Sequence, residues 1–371
     1  MHTELILHLS LIPSIGPATI DALLKRLPPK SDIYTFSISD FVSVCGMSAK
    51  TSAALVAGLS NKQLLENELE LIHKHRIKIT TRYDNDYPEL LKHIASPPAI
   101  LYYQGELYSS KPSIAVIGSR DADYYGKAII ADIVPKLVAQ GYTIVSGGAR
   151  GADTMAHTAA LQAHGRTIAI LGSGLLKPYP LNNKKMFEAI ASQGGAIVSP
   201  FALSTQAMPG NFPARNRIIA GMSQGCLVVQ AALQSGARIT AQFALDQGRE
   251  VFAVPGPVTS PLSAGCHALL KQGAHLVANA ADILGELGHE STPEVSQSQE
   301  PGSQHRIPDQ VPGLSSEQEA VLAACLKQSC SLENLLELTG FSMTQLMGHL
   351  FDLQLQGRVV QDGAGLWQNN G

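Results

Sequence analysis

Basic residues recur beside glycines in the middle of this sequence, and each such segment follows a short apolar run. The first segment, Gly118-Ser119-Arg120, comes directly after the apolar run 114–117. Glycine lets the backbone turn sharply and expose its amides, and arginine carries a permanent positive charge. Similar segments lie at 146–153, 172–180, 211–217 and 235–238. Residue types in this pattern predict a site that binds anions, with phosphate groups as the natural candidates.

The apolar runs before these segments are predicted to be strands of one sheet. Between residues 111 and 287, strand-like runs alternate with helical patterns. Such alternation is typical of βαβ units, in which helices cover both faces of a mostly parallel sheet. The predicted strands are 113–118, 142–146, 167–171, 195–199, 226–230 and 250–254. The fold class is therefore predicted to be Rossmann-like α/β, and the loops after its strands share one sheet edge, where such folds bind ligands.

The cation-bearing segments lack the common nucleotide signatures. A nicotinamide cofactor needs Gly-x-Gly-x-x-Gly at the first turn and an acidic residue about 20 residues later, and neither is present. A Gly-Lys-Ser/Thr phosphate loop is also missing. Asp153 is predicted to cap the helix that it precedes, and His157 to be a packed histidine. We therefore expect a site that holds phosphates without breaking bonds, with no cofactor, no metal and no catalytic residue.

The N-terminal flank of the sheet domain carries helical patterns. Residues 1–75 show two helix–turn–helix units with a glycine in each turn, similar to SAM-like or helix-hairpin-helix modules. Ser14 stands where the DNA-binding hairpin has glycine. A plain packing module is favoured over a DNA-binding module, and both stay open. Residues 76–110 are predicted to be an extended connector that lies along the next domain.

The C-terminal flank begins with a linker. Residues 288–312 are rich in Ser, Gln, Pro and Glu and have few large apolar residues, which is typical of a flexible linker. Residues 313–371 then show three helical patterns followed by a pair of short strands, which predicts a winged helix. Winged helices bind DNA or proteins. The third helix, 344–356, has no Lys or Arg and so is a poor reader of the major groove.

Bulk composition excludes some classes of protein. The chain has 371 residues, which predicts two or three domains, and its formal net charge of −3 means that any basic surface must be local. Five cysteines without a Cys-x-x-Cys pair favour reduced thiols in a cytoplasmic protein. No signal peptide is expected, because no basic region precedes the apolar run at the N-terminus, and no membrane span is expected, because no apolar stretch reaches about 18 residues.

Together these segments resemble the DprA/Smf family of DNA-processing proteins, in order as well as in spacing. The motifs that carry the resemblance are 118–120, 146–153, 174–180, 212–221, 235–241 and 254–256. The resemblance covers nearly the whole chain, since that family can also carry a SAM-like and a winged-helix domain. It implies a homodimer that binds and protects single-stranded DNA and loads the RecA recombinase during natural transformation. It also implies that the protein is not an enzyme.

The resemblance further implies which residues bind. The family's DNA pocket maps onto Ser119, Arg120, Gly148, Arg150, Lys177, Tyr179, Asn216 and Arg217. The segment that begins at Cys266 resembles the family's dimerisation surface, with His267, Leu269 and Leu270 as candidate interface residues.

Two positions depart from the family pattern and bear on a rival interpretation. Gln230 ends the fifth predicted strand where the family usually has Glu, and Pro200 follows Ser199 where Ser-Glu is common. The rival is a nucleotide-processing enzyme of the lysine-decarboxylase-like superfamily, which shares this fold. That enzyme needs a Pro-Gly-Gly-x-Gly-Thr run and a catalytic glutamate near strand five, and the sequence has neither. The DNA-binding mediator is therefore favoured.

Overall fold

The computed structural model describes most of the chain and divides it into two compact units. The described residues are 2–29, 31–108, 110–288, 316–327, 330–356, 358–361 and 366–369. The first unit is Met1–Val295 and the second is Ser296–Gly371. Within the described ranges, no helix combines the length and apolar character that crossing a bilayer requires.

The first unit is a nine-stranded sheet with helices packed on it. Its strands are β1 (Lys78–Thr81), β2 (Ile100–Gly105), β3 (Ser113–Ile117), β4 (Thr143–Ser146), β5 (Thr167–Ile170), β6 (Ala196–Ser199), β7 (Gly225–Val228), β8 (Glu250–Ala253) and β9 (His275–Leu276). Its helices are α1 (His2–Leu11), α2 (Pro17–Arg26), α3 (Ile38–Ser43), α4 (Ala49–Ser60), α5 (Lys62–Lys74), α6 (Glu89–Lys92), α7 (Tyr124–Ala139), α8 (Ala152–Gln162), α9 (Lys184–Ser192), α10 (Asn211–Gly221), α11 (Gly236–Asp246), α12 (Ala264–Lys271) and α13 (Ala280–Glu286).

The strand order confirms the predicted Rossmann-like class. The order is β1-β2-β6-β5-β4-β3-β7-β8-β9, and every pair from β6 to β9 is parallel. From β3 the chain steps through β4 and β5 to β6, then crosses back to place β7 on the other side of β3. This reversal is a topological switch point, and open α/β sheets bind ligands at the carboxyl ends of the strands that flank it.

Both faces of the sheet are buried by helices. Ile114 and Val116 point to one face, where they pack in a core with α7, α8 and α13. Ala115 and Ile117 alternate to the other face and pack with α10, α11 and α12. Because strand residues alternate between faces, a strand buried on both sides is apolar at every position, which is why β3 was recognisable in the sequence.

The segment predicted as an extended connector is in fact part of the sheet. Strand β2 pairs antiparallel with both β1 and β6, so residues 76–110 extend the sheet at one edge. At the opposite edge the two-residue strand β9 pairs with β8. The sequence analysis missed these three strands because β1 mixes polar and apolar residues, β9 is very short, and β2 follows two prolines.

The N-terminal helices share one hydrophobic core with this end of the sheet. Ile6, Leu23 and Leu55 lie in the same buried cluster as Tyr102 of β2 and Ile197 of β6. The carboxylate of Glu68 on α5 is buried as well, and it accepts a hydrogen bond of 2.7 Å from the amide of Leu203. The helical segment is therefore built into the first unit and does not form a compact unit of its own.

The second unit has the three helices and the hairpin of a winged helix. They are α14 (Ser316–Lys327), α15 (Leu332–Thr339), α16 (Met343–Leu355), β10 (Val359–Gln361) and β11 (Trp367–Asn369). The core of this unit includes Leu346, Leu350 and Leu353 of α16. The outward side of α16 exposes Met347 and Phe351, and this helix contains no lysine or arginine.

A buried histidine joins helix α8 to the sheet. His157 is fully buried, and its Nδ1 lies 2.7 Å from the hydroxyl oxygen of Thr167, which itself donates to the carbonyl of Ile144. Nδ1 therefore carries the proton, and Nε2 has no hydrogen-bond partner among the described residues. Burial lowers the pKa of His157 to about 3, so the ring is neutral at physiological pH. This is the packed histidine that the sequence predicted.

We expect His157 to make the folded protein less stable at mildly acidic pH. Its folded pKa lies below the unfolded value of about 6.5, so the unfolded chain binds the extra proton and stability falls as the pH drops through 6.5. Between pH 7.5 and 5.5 the native chain should lose about 1.4 kcal/mol more than a His157→Gln variant. Urea unfolding at the two pH values measures the difference, and parallel losses in both proteins would show that His157 does not titrate in this way.

Candidate functional site

A cleft of about 480 Å³ opens at the switch point of the sheet, beyond the carboxyl ends of β3 and β7. One wall is the first loop, Gly118 to Asp121, and another is the start of α10. The third is the segment that leads into α11. The loops that the sequence predicted to meet at one edge of the sheet therefore do meet, and they enclose a cavity.

Main-chain hydrogen bonds fix the first loop to its neighbours. The amide of Ser119 donates to the carbonyl of Gln230 after β7 at 2.7 Å, and the carbonyl of Ser119 accepts from the amide of Ala152 at 3.0 Å. Gly151 precedes that residue with a φ of 81°, and a Cβ there would lie 2.4 Å from the carbonyl oxygen of Ser119. The close approach of these two loops therefore requires glycine at 151.

An aromatic ring stands between the cations of the cleft. The guanidinium carbons of Arg120 and Arg215 lie 5.7 and 5.9 Å from the ring centre of Phe212. The ring of Tyr179 meets Phe212 edge-on at 5.9 Å, and Tyr179 is half exposed. A second cavity, of about 280 Å³, lies beside the cleft; it shares Arg120, Phe212 and Arg215 with it and adds Arg150 and Tyr179. The partly exposed ring of Phe212 and the exposed ring of Tyr179 therefore lie close to the exposed cations Arg120 and Arg150.

Arg215 is the structural cation of this site. Its side chain is buried, and its guanidinium donates to the carbonyls of Gly147 and Ile170, which follow β4 and end β5. Burial lowers its pKa to about 10, an effect that the nearby carboxylate of Asp153 opposes. Arg215 therefore ties two strand ends together and is charged at neutral pH.

Asp153 supplies the opposing charge. Its carboxylate accepts from the amide of Ala149 at 3.2 Å. Burial raises the pKa of Asp153, and the positive charge of Arg215 acts against that shift. A Cβ on Gly147 would lie 2.6 Å from Nη1 of Arg215 and 2.7 Å from Oδ2 of Asp153, so only glycine fits between the two. The predicted role of Asp153 as a cap was wrong: Asp153 lies within α8, whose first turn has no side-chain cap, and its carboxylate instead compensates the charge of Arg215.

The structure brings five of the eight predicted binding residues to the two cavities. They are Ser119, Arg120, Arg150, Tyr179 and Asn216. Arg150 also forms an exposed ion pair with Asp121 at 2.7 Å. Gly148 lines neither cavity. Its φ is 66°, and a Cβ there would lie 2.5 Å from the ring of Phe187, so the turn of this loop requires glycine.

Two predicted residues lie elsewhere. Lys177 is exposed on its loop and lines neither of the two cavities. Arg217 faces away from the cleft, donates to the carbonyl of Ser96 and lines a separate pocket. The reason is that helix α10 begins at Asn211, and successive helical residues point roughly 100° apart. The cleft is lined by Arg215, Asn216 and Ile219 on one side of α10, and Arg217 falls on the other side, with Ala214.

Phe212 lines both cavities but was not among the predicted site residues, although the sequence carries a signal for it. Phe212 sits within a cation-rich segment, and its aromatic ring is only half buried in the structure. An aromatic residue among exposed cations is typical of surfaces that bind single-stranded nucleic acid.

The candidate dimerisation residues have unequal exposure. Leu269 is buried in the core, where it packs under the sheet, so it is not available at a surface and the prediction for it was wrong. Leu270 is partly buried against the same core. A ring nitrogen of His267 lies 3.0 Å from the carbonyl oxygen of Gly256. Leu276 of β9 is exposed by 57% and is the large apolar residue that this edge presents to solvent.

The chemistry that this arrangement offers is anion binding beside aromatic rings. The cleft combines a fixed exposed cation at Arg120, hydroxyl and amide groups at Ser119 and Asn216, and the ring of Phe212. Among the described residues, no group of three or more His, Cys, Asp or Glu side chains is placed to hold a metal ion.

Comparison with known proteins identifies relatives along nearly the whole chain. The family model described as DNA recombination-mediator protein A matches residues 78–288, and the DprA winged helix domain matches 307–365. Protein Smf of Synechocystis sp. is 34% identical over 95% of both chains. Protein Smf of Escherichia coli is 44% identical over 59% of this chain, and that match spans 58% of the relative's own length.

Two solved structures show the same fold. The X-ray structure of DNA processing protein A from Streptococcus pneumoniae has a TM-score of 0.67 and 32% identity, and covers 77% of this chain and 98% of its own. DNA processing protein A from Helicobacter pylori, whose structure is described for its single-stranded DNA binding mode, has a TM-score of 0.52 and 30% identity. That match covers 57% of this chain and 95% of the other.

The contrast between a buried and an exposed arginine gives a test of the site's construction. Arg215→Met should destabilise the protein by about 3–5 kcal/mol, because Asp153 would keep a buried charge without compensation. Adding Asp153→Asn should restore part of that loss. Arg150→Met, which breaks only an exposed ion pair, should change stability little. Urea unfolding measures all four proteins, and an Arg215→Met variant as stable as the native chain would contradict the structural role.

Proposed function

This chain belongs to the DNA recombination-mediator protein A family, and from that premise we propose that it binds single-stranded DNA without sequence preference at the switch-point cleft. We further propose that it works in the cytoplasm as a homodimeric recombination mediator, which protects the strand and loads RecA onto it during natural transformation. The Helicobacter pylori relative, described for its single-stranded DNA binding mode, supports the choice of ligand.

The observation that carries the proposal is the grouping of Phe212, Arg120 and Tyr179. Single-stranded DNA exposes both its charged backbone and the flat faces of its bases, and proteins bind it with cations beside aromatic rings. Phe212 and Tyr179 offer such rings, and Arg120 is exposed within 5.7 Å of the first. Duplex DNA keeps its bases stacked inside, so these rings would be of little use to it.

Helix N-termini add to the attraction for phosphates. Helices α8 and α11 both begin at this edge of the sheet. The amides of Ala152 and Thr154 in α8 already donate to the carbonyls of Ser119 and Ala149, whereas no side chain caps the first amides of α11. Amides without a cap carry a partial positive charge and can donate hydrogen bonds to an anion. The phosphate contacts proposed here are therefore made by main chain as well as by Arg120 and Arg150, and neither kind of contact reads sequence.

The rival enzyme is disfavoured by what stands at its catalytic position. Gln230 follows β7, which corresponds to the fifth predicted strand, at the place where the lysine-decarboxylase-like enzymes need a glutamate. Its amide nitrogen donates to the carboxylate of Asp123 at 2.9 Å, and its oxygen accepts from the amide of Asp123 at 3.1 Å. Asp123 in turn caps helix α7. Gln230 therefore stabilises the N-terminus of α7 through Asp123. We propose that the protein is not an enzyme.

A homodimer is proposed through the edge of the sheet at β9. This edge ends in a two-residue strand, and Leu276 on it exposes 57% of its surface. Leu270 on the preceding helix α12 is partly buried. An exposed apolar residue at a sheet edge is a common feature of protein contacts. The exposed cleft lies at the carboxyl ends of the strands, so an interface at this edge would leave the cleft open.

We expect binding to single-stranded DNA to fall steeply with salt, and two variants to separate charge from stacking. Arg120→Ala should weaken binding and reduce the slope of log affinity against log salt by about 0.7, the share of one phosphate. Phe212→Ala should weaken binding by about 1–3 kcal/mol without changing that slope, because a stacked base carries no charge. Fluorescence anisotropy with a labelled oligonucleotide at several salt concentrations measures both.

Lys136→Ala is the matched control for these variants. Lys136 is an exposed cation on α7 that is paired with Asp132, and it lines neither cavity of the site. It should bind like the native chain. A clear preference of the native protein for duplex DNA, or binding that is insensitive to salt, would overturn the proposed function.

The proposed dimer is tested by replacing the exposed apolar residue Leu276 with a charged residue. Leu276→Arg should give a folded monomer, because a charge replaces an apolar group at the proposed interface and the residue is not needed in the core. Val42→Arg on α3, also an exposed apolar position, should remain dimeric. Sedimentation velocity measures the masses. If Leu276→Arg sediments as a dimer, the interface lies elsewhere.

A further inference from the structure

A third cavity, of about 240 Å³, lies on the side of helix α10 that faces away from the cleft. It is formed where the N-terminal helices meet the sheet. Its lining includes Ile15, Ile20, Ala99, Phe201, Ala214 and Arg217. The volume is several times the roughly 30 Å³ that one water molecule takes in the liquid. The cavity, called the Arg217 pocket below, has apolar walls and one cation.

Arg217 is held at the pocket with donors to spare. Its guanidinium donates to the carbonyl of Ser96, and no other hydrogen bond of that group is found among the described residues. A guanidinium has five N–H donors, so most of them remain for a ligand. Burial lowers the pKa of Arg217, but an arginine stays charged at neutral pH. Three of the lining residues, Pro17, Pro98 and Pro200, have no amide proton and so add to the apolar character of the walls.

The pocket is continuous in sequence with the cleft. Phe212, Arg215 and Asn216 face the cleft from α10, while Ala214 and Arg217 face the pocket from the same helix. Pro213 lines the cleft and the next residue lines the pocket, so the two cavities lie on either side of the first turn of α10.

We propose that the Arg217 pocket takes one nucleobase of the strand that is bound in the cleft. This inference rests on the function proposed above. A base has two apolar faces and a polar edge, which match walls such as Ile15, Ile20 and Phe201 and the donors of Arg217. Arginine pairs best with guanine, whose O6 and N7 accept both arms of the fork. The pocket therefore adds a preference for guanine to binding that is otherwise independent of sequence.

The position of the pocket shows that the family domain alone does not build it. Ser10, Ile15, Pro17 and Ile20 line one side, and all four lie outside residues 78–288, where the family model matches. The N-terminal helices thus have a task toward DNA in this chain that does not depend on a hairpin motif. They close a pocket around a base.

The test uses three oligonucleotides on the full-length protein. The first is a 20-nucleotide strand of thymidine, the second carries guanine at every fourth position, and the third has abasic sites at those positions. The native protein should bind the guanine strand at least about fivefold tighter than the thymidine strand, which is the lower end for discrimination by a bidentate arginine. Fluorescence anisotropy gives the affinities, and thermal melting checks the fold of each variant.

Two variants address the pocket by different routes. Ser10→Phe fills it from α1 without removing a core residue, since Ser10 is only partly buried. This variant should bind the guanine and thymidine strands equally, while the stacking on Phe212 that favours both over the abasic strand is retained. Arg217→Met removes the donors while keeping the bulk, and should lose the preference for guanine with the salt slope unchanged, because a base contact neutralises no phosphate. If Ser10→Phe does not fold, Arg217→Met still decides.

The outcomes separate this inference from the proposed function. If the native protein binds the three strands alike, or if both variants keep its guanine preference, the pocket does not hold a base; a pocket that serves a protein segment would give that result. If Arg217→Met flattens the salt slope by about 0.7, Arg217 contacts a phosphate instead. If the native protein binds none of the strands, the proposed function itself fails. Loss of binding only in the Arg120→Ala variant is consistent with the proposed function.

Discussion

The hydrogen bonds of Arg215 are the interaction on which the binding surface depends. Parallel strands diverge at their carboxyl ends, and the loops that follow them have no sheet partner of their own. Here a buried guanidinium joins the carbonyls of Gly147 and Ile170, which lie at the ends of neighbouring strands β4 and β5. A buried cation requires compensation, and Asp153 on the next helix provides it. Without this arrangement, the second and third loops would lack a common anchor.

The same arrangement explains why the site combines rigid glycines with exposed cations. The interior positions Gly147 and Gly151 are fixed by close contacts with Arg215 and with the first loop, where no side chain would fit. Arg120 and Arg150, in contrast, project from loops whose backbones are already held. Binding charges on a fixed backbone lose little further freedom when a ligand arrives, which favours affinity. The buried Arg215 therefore stabilises the loops of the site, and the exposed Arg120 and Arg150 are available to contact a ligand.

The sequence predicted the sheet and the edge at which ligands bind because each fully buried strand is apolar at every position. It could not place Arg217, since that required knowing that α10 begins at Asn211, seven residues before the first apolar pair that marks the helix in the sequence. It also assigned Leu269 to a surface, because an apolar residue on a short helix fits a core and an interface equally well. Strands β1 and β2 escaped notice for a related reason, as the pairing of β2 with β6, on which this edge of the sheet rests, is a long-range contact that local pattern does not record.

The pairing of β2 with β6 has a consequence for how the protein is made. The core beneath the N-terminal helices is completed by Ile197 and Leu203, which are synthesised about 100 residues after β2 ends at Gly105. At ribosomal rates of roughly 5–20 residues per second, that interval lasts on the order of 5–20 s. During it, the first hundred residues carry an apolar surface and an unpaired strand edge that only later parts of the chain can cover. The nascent chain is therefore a natural client for chaperones, and a fragment that ends before β6 would aggregate when expressed alone.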